Sequence, residues 1–115
     1  MNARDRKHLL DMLLEGKRIQ RFVEGLDRDT FLADEARWYG TLHALTIFGE
    51  AANRVSREAR EAHPEIPWRV IVDMRNRIVH EYFRVNRETV WNTAREDIPD
   101  LIPLLEAAVP DPEES

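Results

Sequence analysis

Between Met74 and Phe83 the chain reads "MRNRIVHEYF", and Arg75, Asn76, His80 and Tyr82 are the side chains there that can do chemistry. Histidine ordinarily titrates near neutrality, so it can take or give a proton. Arginine offers a rigid fork of donors to phosphate oxygens, and asparagine positions a group by hydrogen bonding. One reaction asks for that set and little else. RNA carries its own nucleophile, the 2′-hydroxyl, beside each phosphodiester. A catalyst need only move protons and stabilise extra negative charge at phosphorus, so neither a metal nor a cofactor is expected. The rest of the sequence holds no HExxH, no close His/Asp/Glu ligand set, no Walker loop and no GxGxxG. Ser56 is the only serine ahead of the tail and has no nearby histidine, which argues against a Ser/His triad. With no cysteine, disulfide and thiolate chemistry are excluded and a reducing compartment is expected.

Helices must position these residues, because apolar side chains recur at spacings of three and four and no strand-like alternation competes. The first helix is expected from about Arg4 to Glu24, with Leu9, Met12, Leu13, Ile19, Phe22, Val23 and Leu26 in one stripe, broken by Gly25 and Asp27 to Asp29. The second is expected from Asp34 to Ala62, with Trp38, Leu42, Leu45, Ile47, Phe48, Ala52 and Val55 inward, and Pro64 stopping it. The third starts near Pro67 and runs to Tyr82 or Phe83. Asn86 caps the fourth, which buries Val90, Trp91, Ala94, Ile98, Leu101, Ile102, Leu105 and Val109 and should kink at Pro99 or Pro103. Short connections predict antiparallel packing. The expected architecture is an all-α antiparallel bundle of four main helices: one domain over residues 1–109, then a frayed acidic tail over 110–115.

At about 100° per residue, Ile71, Met74, Ile78 and Tyr82 share the core arc of the third helix. Asp73, Asn76 and His80 form a stripe nearly opposite, with Val72 and Val79 as an apolar shoulder beside it. Arg75 and His80 are about 140° apart, so one helix does not easily aim both at one atom. A two-fold contact along this helix would complete the site from a second copy, and the expectation is therefore a homodimer. Both residues are expected to be exposed in one protomer. Glu50 is expected to pair with an arginine of the third helix, and Asp73 either orients His80 or is solvated.

The net charge of −5 hides an asymmetry: seven acids and no Lys or Arg follow Arg95, so residues 1–95 carry +2. Arg69, Arg75, Arg77, Arg84 and Arg87 lie against only Asp73 and Glu81, and Arg54, Arg57 and Arg60 form a second basic cluster. Local potential governs where a phosphate lands, which makes Arg77 and Arg84 candidate RNA contacts. No apolar run approaches a membrane span and the N-terminal residues lack a signal-peptide block, so the expectation is a cytoplasmic protein away from membranes.

The octet "RNRIVHEY" matches an arginine, four residues, histidine, one residue, tyrosine signature, and with "FGEAANRVS", "HPEIPWRVIVDMRNRIVHEYF" and "VWNTAREDIPDLIPLLE" in the same order the chain resembles HepT-type toxins of the HEPN superfamily of ribonucleases. The resemblance covers the whole chain. It implies an all-helical, HEPN-like homodimer with active sites at the subunit interface, cutting RNA without metal through Arg75, Asn76 and His80. The products implied by ribose-oxygen attack are a 2′,3′-cyclic phosphate and a 5′-hydroxyl. It further implies the toxin of a type II-like or type VII toxin–antitoxin pair whose partner is an MntA-type minimal nucleotidyltransferase, able to transfer AMP to Tyr82. The alternative is a non-catalytic HEPN-like helper that binds nucleotide or substrate beside a nucleotidyltransferase.

Overall fold

Small polar side chains set most of the helix starts. In the computed structural model, which describes residues 1–109, α1 (Ala3–Val23) is capped by Asn2, α2 (Arg28–Ala33) by Asp27, and α3 (Glu35–Arg54) by Asp34. Ser56 caps α4 (Arg57–Ala62) and Asn86 caps α6 (Arg87–Asn92). In each case the side-chain oxygen accepts from the amide three residues on, satisfying a donor the helix cannot pair itself. The helix α5 (Trp68–His80) follows Pro67 and has no side-chain cap. A 3₁₀ turn (Tyr82–Arg84) comes next, and α6 continues through a π turn (Thr93–Asp97) into α7 (Ile98–Ala108).

The long α1 and α3 run antiparallel. Asp5 at the start of α1 accepts from the Ser56 amide at 2.8 Å and from its hydroxyl at 2.6 Å, just past the end of α3. At the other end Arg37 Nη1 donates to Phe22 O at 3.0 Å. Against α3 lies α5, and against α1 lies α7, with Gly16 facing Ile98 and Ile102. Leu9, Met12, Ile19, Phe48, Ala52, Ile71, Ile78, Val90, Ala94, Ile98 and Leu105 fill the shared core. The result is the expected all-α bundle, with no strand among the described residues.

Four expectations change in detail. The second helix is not continuous to Ala62: the backbone turns extended at Val55 and Ser56, where Ser56 serves Asp5 and caps α4 at once. Arg60 closes the break, donating to Ala52 O, Asn53 O and Val55 O at 2.9–3.1 Å, so it supplies donors to the carbonyl end of α3. Asp27, read as part of a breaker, starts α2 instead. The irregularity expected at Pro99 or Pro103 sits earlier, because a proline at 99 crowds the carbonyl four residues back. There the Ile98 amide bonds the Thr93 carbonyl, five residues back, and the widened turn passes into α7 with Pro103 inside it. Lastly, α5 ends at His80, so Tyr82 leaves the core arc on which the wheel placed it and is exposed. The tail at 110–115 lies outside the described residues.

Candidate active site

Gly49 decides where α3 and α5 touch. A Cβ there would overlap the Cβ of Arg75, so glycine lets the two helices close on each other at this point. The close approach covers the Arg75 stem and leaves its side chain only 21% exposed. This corrects the expectation that Arg75 lies open in one protomer. Its guanidinium is held from two sides: Nη1 donates to Asn76 Oδ1 at 2.7 Å and Nη2 donates to Glu50 Oε1 at 3.1 Å. The Glu50 partnership is the pairing anticipated between "GEAAN" and the third helix. Arg75 Nε is buried without a partner among the described residues. A guanidinium has five N–H groups, so the cluster fixes its direction and leaves donors for an anion. Because Asn76 spends its carbonyl oxygen on Arg75, its amide N–H groups remain to donate.

His80 closes α5 and is exposed, and its imidazole makes no hydrogen bond or ion pair among the described residues. It shares a flank of α5 with Asn76, four residues back. Val72 is half-buried and Val79 is 47% exposed, so the apolar shoulder between Arg75 and His80 is open.

The arginine clusters divide by partner. Arg87 donates to Leu32 O at 3.2 Å and lies 4.7 Å over the Trp38 ring, and Arg60 is spent on α3 as above. Both stabilise the fold. Arg77 and Arg84 are exposed but line a groove between α5 and α6 with Val70, Met74 and Val90, which contains none of Arg75, Asn76 and His80. Asp73 lines that groove too. It approaches Arg69 at 3.9 Å, and no hydrogen bond joins it to His80.

Tyr82, 41% exposed, borders a basin of about 330 Å³ between α3 and α5, together with Tyr39, His43, Thr46 and Val79. A hydrogen bond shared with the Tyr39 hydroxyl, helped by desolvation, holds the Tyr82 phenol above its ordinary pKa. Tyr39, His43 and Thr46 are not among the candidate residues of the sequence. Their spacing with Glu50, at 39, 43, 46 and 50, is the helical signal that places them in one stripe of α3. Among the described residues no group of three or more His, Asp or Glu could hold a metal ion, and no helix is long and apolar enough to cross a membrane.

The family described as Ribonuclease HepT-like matches residues 12–108. A protein of Thermococcus cleftensis named "Probable ribonuclease HepT" is 35% identical over 85% of this chain and 90% of its own. A Methanocaldococcus jannaschii protein whose name reads RNase is 34% identical over 99% of both chains. A third RNase-named relative, from Caldanaerobacter subterraneus, is 34% identical over 84% of this chain and 86% of its own. No solved structure matches.

Proposed function

The chain belongs to the HepT-like ribonuclease family and is an RNA-cleaving enzyme, and from that premise we propose that it is a metal-independent endoribonuclease acting through Arg75, Asn76 and His80. One observation carries this reading. Glu50 and Asn76 hold the forked cation of Arg75 at the α3–α5 crossing, and the same α5 ends in an exposed imidazole with no side-chain partner among the described residues. In the proposed reaction His80 takes the proton of a ribose 2′-hydroxyl, and the oxygen attacks the neighbouring phosphorus. The bond to the 5′-oxygen breaks, and that oxygen takes a proton as it leaves. Arg75 binds the non-bridging oxygens, whose charge grows in the transition state, and the Asn76 amide holds the phosphate or the attacking hydroxyl. The products are a 2′,3′-cyclic phosphate and a 5′-hydroxyl.

Because Arg75 faces α3 while His80 lies round the helix and open, the site is completed by a second copy meeting it along α5, with Val72 and Val79 at the contact. Tyr82 is the modification site: its exposed hydroxyl attacks the α-phosphorus of ATP, pyrophosphate leaves, and AMP remains on the phenol. The donor enzyme is an MntA-type nucleotidyltransferase antitoxin, and the pair acts in the cytoplasm, with this chain as the toxin. The names of the relatives favour a nuclease over a non-catalytic helper.

The test is incubation of the purified protein with a defined RNA pool in EDTA, followed by end-group analysis. Cyclic-phosphate and 5′-hydroxyl ends in chelator are expected. Loss of cutting in chelator, or 5′-phosphate products, would overturn the chemistry.

A further inference from the structure

We infer that the basin between Tyr39 and Tyr82 is a nucleobase subsite, taking an unpaired base of the RNA next to the phosphate held by Arg75. The inference rests on the ribonuclease reading and adds the part of the substrate that the proton-moving residues do not touch.

The basin has the two surfaces a base needs. Leu42 and Ile78 floor it, the rings of Tyr39 and Tyr82 wall it, and Val79 bounds it on the side of the proposed α5 contact. Aromatic faces of this kind bind any unstacked base through its π-face. Its rim is polar. Thr46 spends its hydroxyl proton on Leu42 O at 2.9 Å, so its oxygen is left to accept. Tyr39 and Tyr82 bring their hydroxyls to the same lining. The exposed His43 imidazole completes the edge. A volume of about 330 Å³ falls at the small end of ordinary ligand clefts.

Position links the basin to the phosphate. Glu50, which holds Arg75, stands one turn beyond Thr46 on α3, a rise of about 6 Å. On α5, Val79 stands one turn beyond Arg75. Base and phosphate therefore bind along one seam between the two helices. The polar rim distinguishes a base from an apolar side chain of a partner, which would offer nothing to the Thr46 oxygen or the tyrosine hydroxyls on burial.

The experiment is a cycle between Tyr39→Ala and a missing base. Tyr39 is 54% exposed and outside the proposed catalytic set, so the variant is expected to fold. Binding is read by anisotropy with 2′-O-methyl oligonucleotides, which cannot be cut, and cleavage is read with the matching RNA. Each is made intact and with one abasic position on either side of the cut bond. Wild type is expected to bind one abasic probe roughly 10- to 100-fold more weakly than the intact one, and Tyr39→Ala to lose the same factor on the intact probe and nothing more on the abasic one. In cleavage the loss falls on KM, and Thr46→Val shifts the preference among the four bases. Equal Tyr39→Ala losses on intact and abasic probes would overturn the subsite, as would a change of oligomeric mass in that variant. Base-dependent binding without cutting by wild type would instead overturn the nuclease and leave the basin standing.

Discussion

At the scale of single residues, Arg75 is the side chain on which the most interactions converge. Its stem packs on Gly49 and its donors reach Glu50 and Asn76, so it serves the fold as well as its proposed role toward the anion. Truncation therefore mixes two effects, whereas the exposed His80 side chain makes no hydrogen bond or ion pair among the described residues and can be removed more cleanly. His80→Ala is expected to lower kcat by roughly 100-fold or more with the melting temperature unchanged, as read by initial rates on RNA beside a thermal scan. Glu50 is a positioning residue in this scheme. Glu50→Ala lets the guanidinium swing and is expected to cost roughly 10- to 100-fold in rate, while Glu50→Gln, which can still accept the Arg75 bond, recovers most of it. Equal losses for both variants would show that the charge matters and the aim does not. The Glu50 partner of Arg75 was legible in the sequence, because spacing on a helix fixes direction. The fates of Arg60 and Arg87 were not, since each caps carbonyls or stacks on a ring brought near only by folding. Tyr82 was misplaced for a related reason: a wheel holds only while the helix lasts, and α5 stops at His80.

At the scale of elements, the crossing of α3 and α5 and the junction of α3 with α4 hold the site in register. Gly49→Ala adds a methyl against the stem of Arg75, where relief requires moving a helix and not the tip of a flexible side chain. The expected result is a loss of roughly 1–3 kcal/mol in denaturant stability, with activity falling further than stability because Arg75 is displaced. A variant that melts lower but cuts at the wild-type rate would show that the crossing is structural only. The α3–α4 junction carries a pH dependence. Burial raises the Asp5 carboxyl, but donation from the Ser56 hydroxyl and amide, and from Asn2, outweighs it and leaves the group below its ordinary 3.8. A carboxyl lowered in the folded state contributes stability that is present above the unfolded value, and that stability is lost as pH falls through the folded one. Ser56→Ala removes one of those donors and the α4 cap, so it should cost roughly 2 kcal/mol near neutrality and less below pH 3.8. A penalty that does not shrink in acid would remove Asp5 from the account. The cap itself was readable in advance for Asn86, whereas Ser56 sits inside an unbroken apolar rhythm. Its break comes from Asp5, 51 residues away, which no local pattern reports.

At the scale of the whole molecule, thickness governs what the site can be. The shortest extent is 20 Å, about two helix diameters, so α5 is covered by α3 on its inner side and keeps open flanks. One flank carries Asn76, Val79 and His80, and the other carries Val70, Met74 and Arg77 above a separate groove. Arg75 and His80 lie about 140° apart on α5, and Arg75 is held to α3 through Glu50. A composite site, with the guanidinium from one copy and the imidazole from its partner, resolves the geometry. It makes a prediction that no single-chain site shares. Arg75→Lys keeps the charge but loses the bidentate fork, and His80→Ala loses the proton carrier, so each alone should be inactive as a homodimer. Co-refolding equal amounts gives mixed dimers in half of the population, and each mixed dimer rebuilds one of its two sites from the unaltered Arg75 of one copy and the unaltered His80 of the other. Recovery of roughly a quarter of wild-type activity is therefore expected, with analytical ultracentrifugation confirming a dimer of unchanged mass. If the mixture stays as dead as its components, Arg75 and His80 must act from the same protomer, and α5 would have to bend or unwind near His80 for both to reach one phosphate.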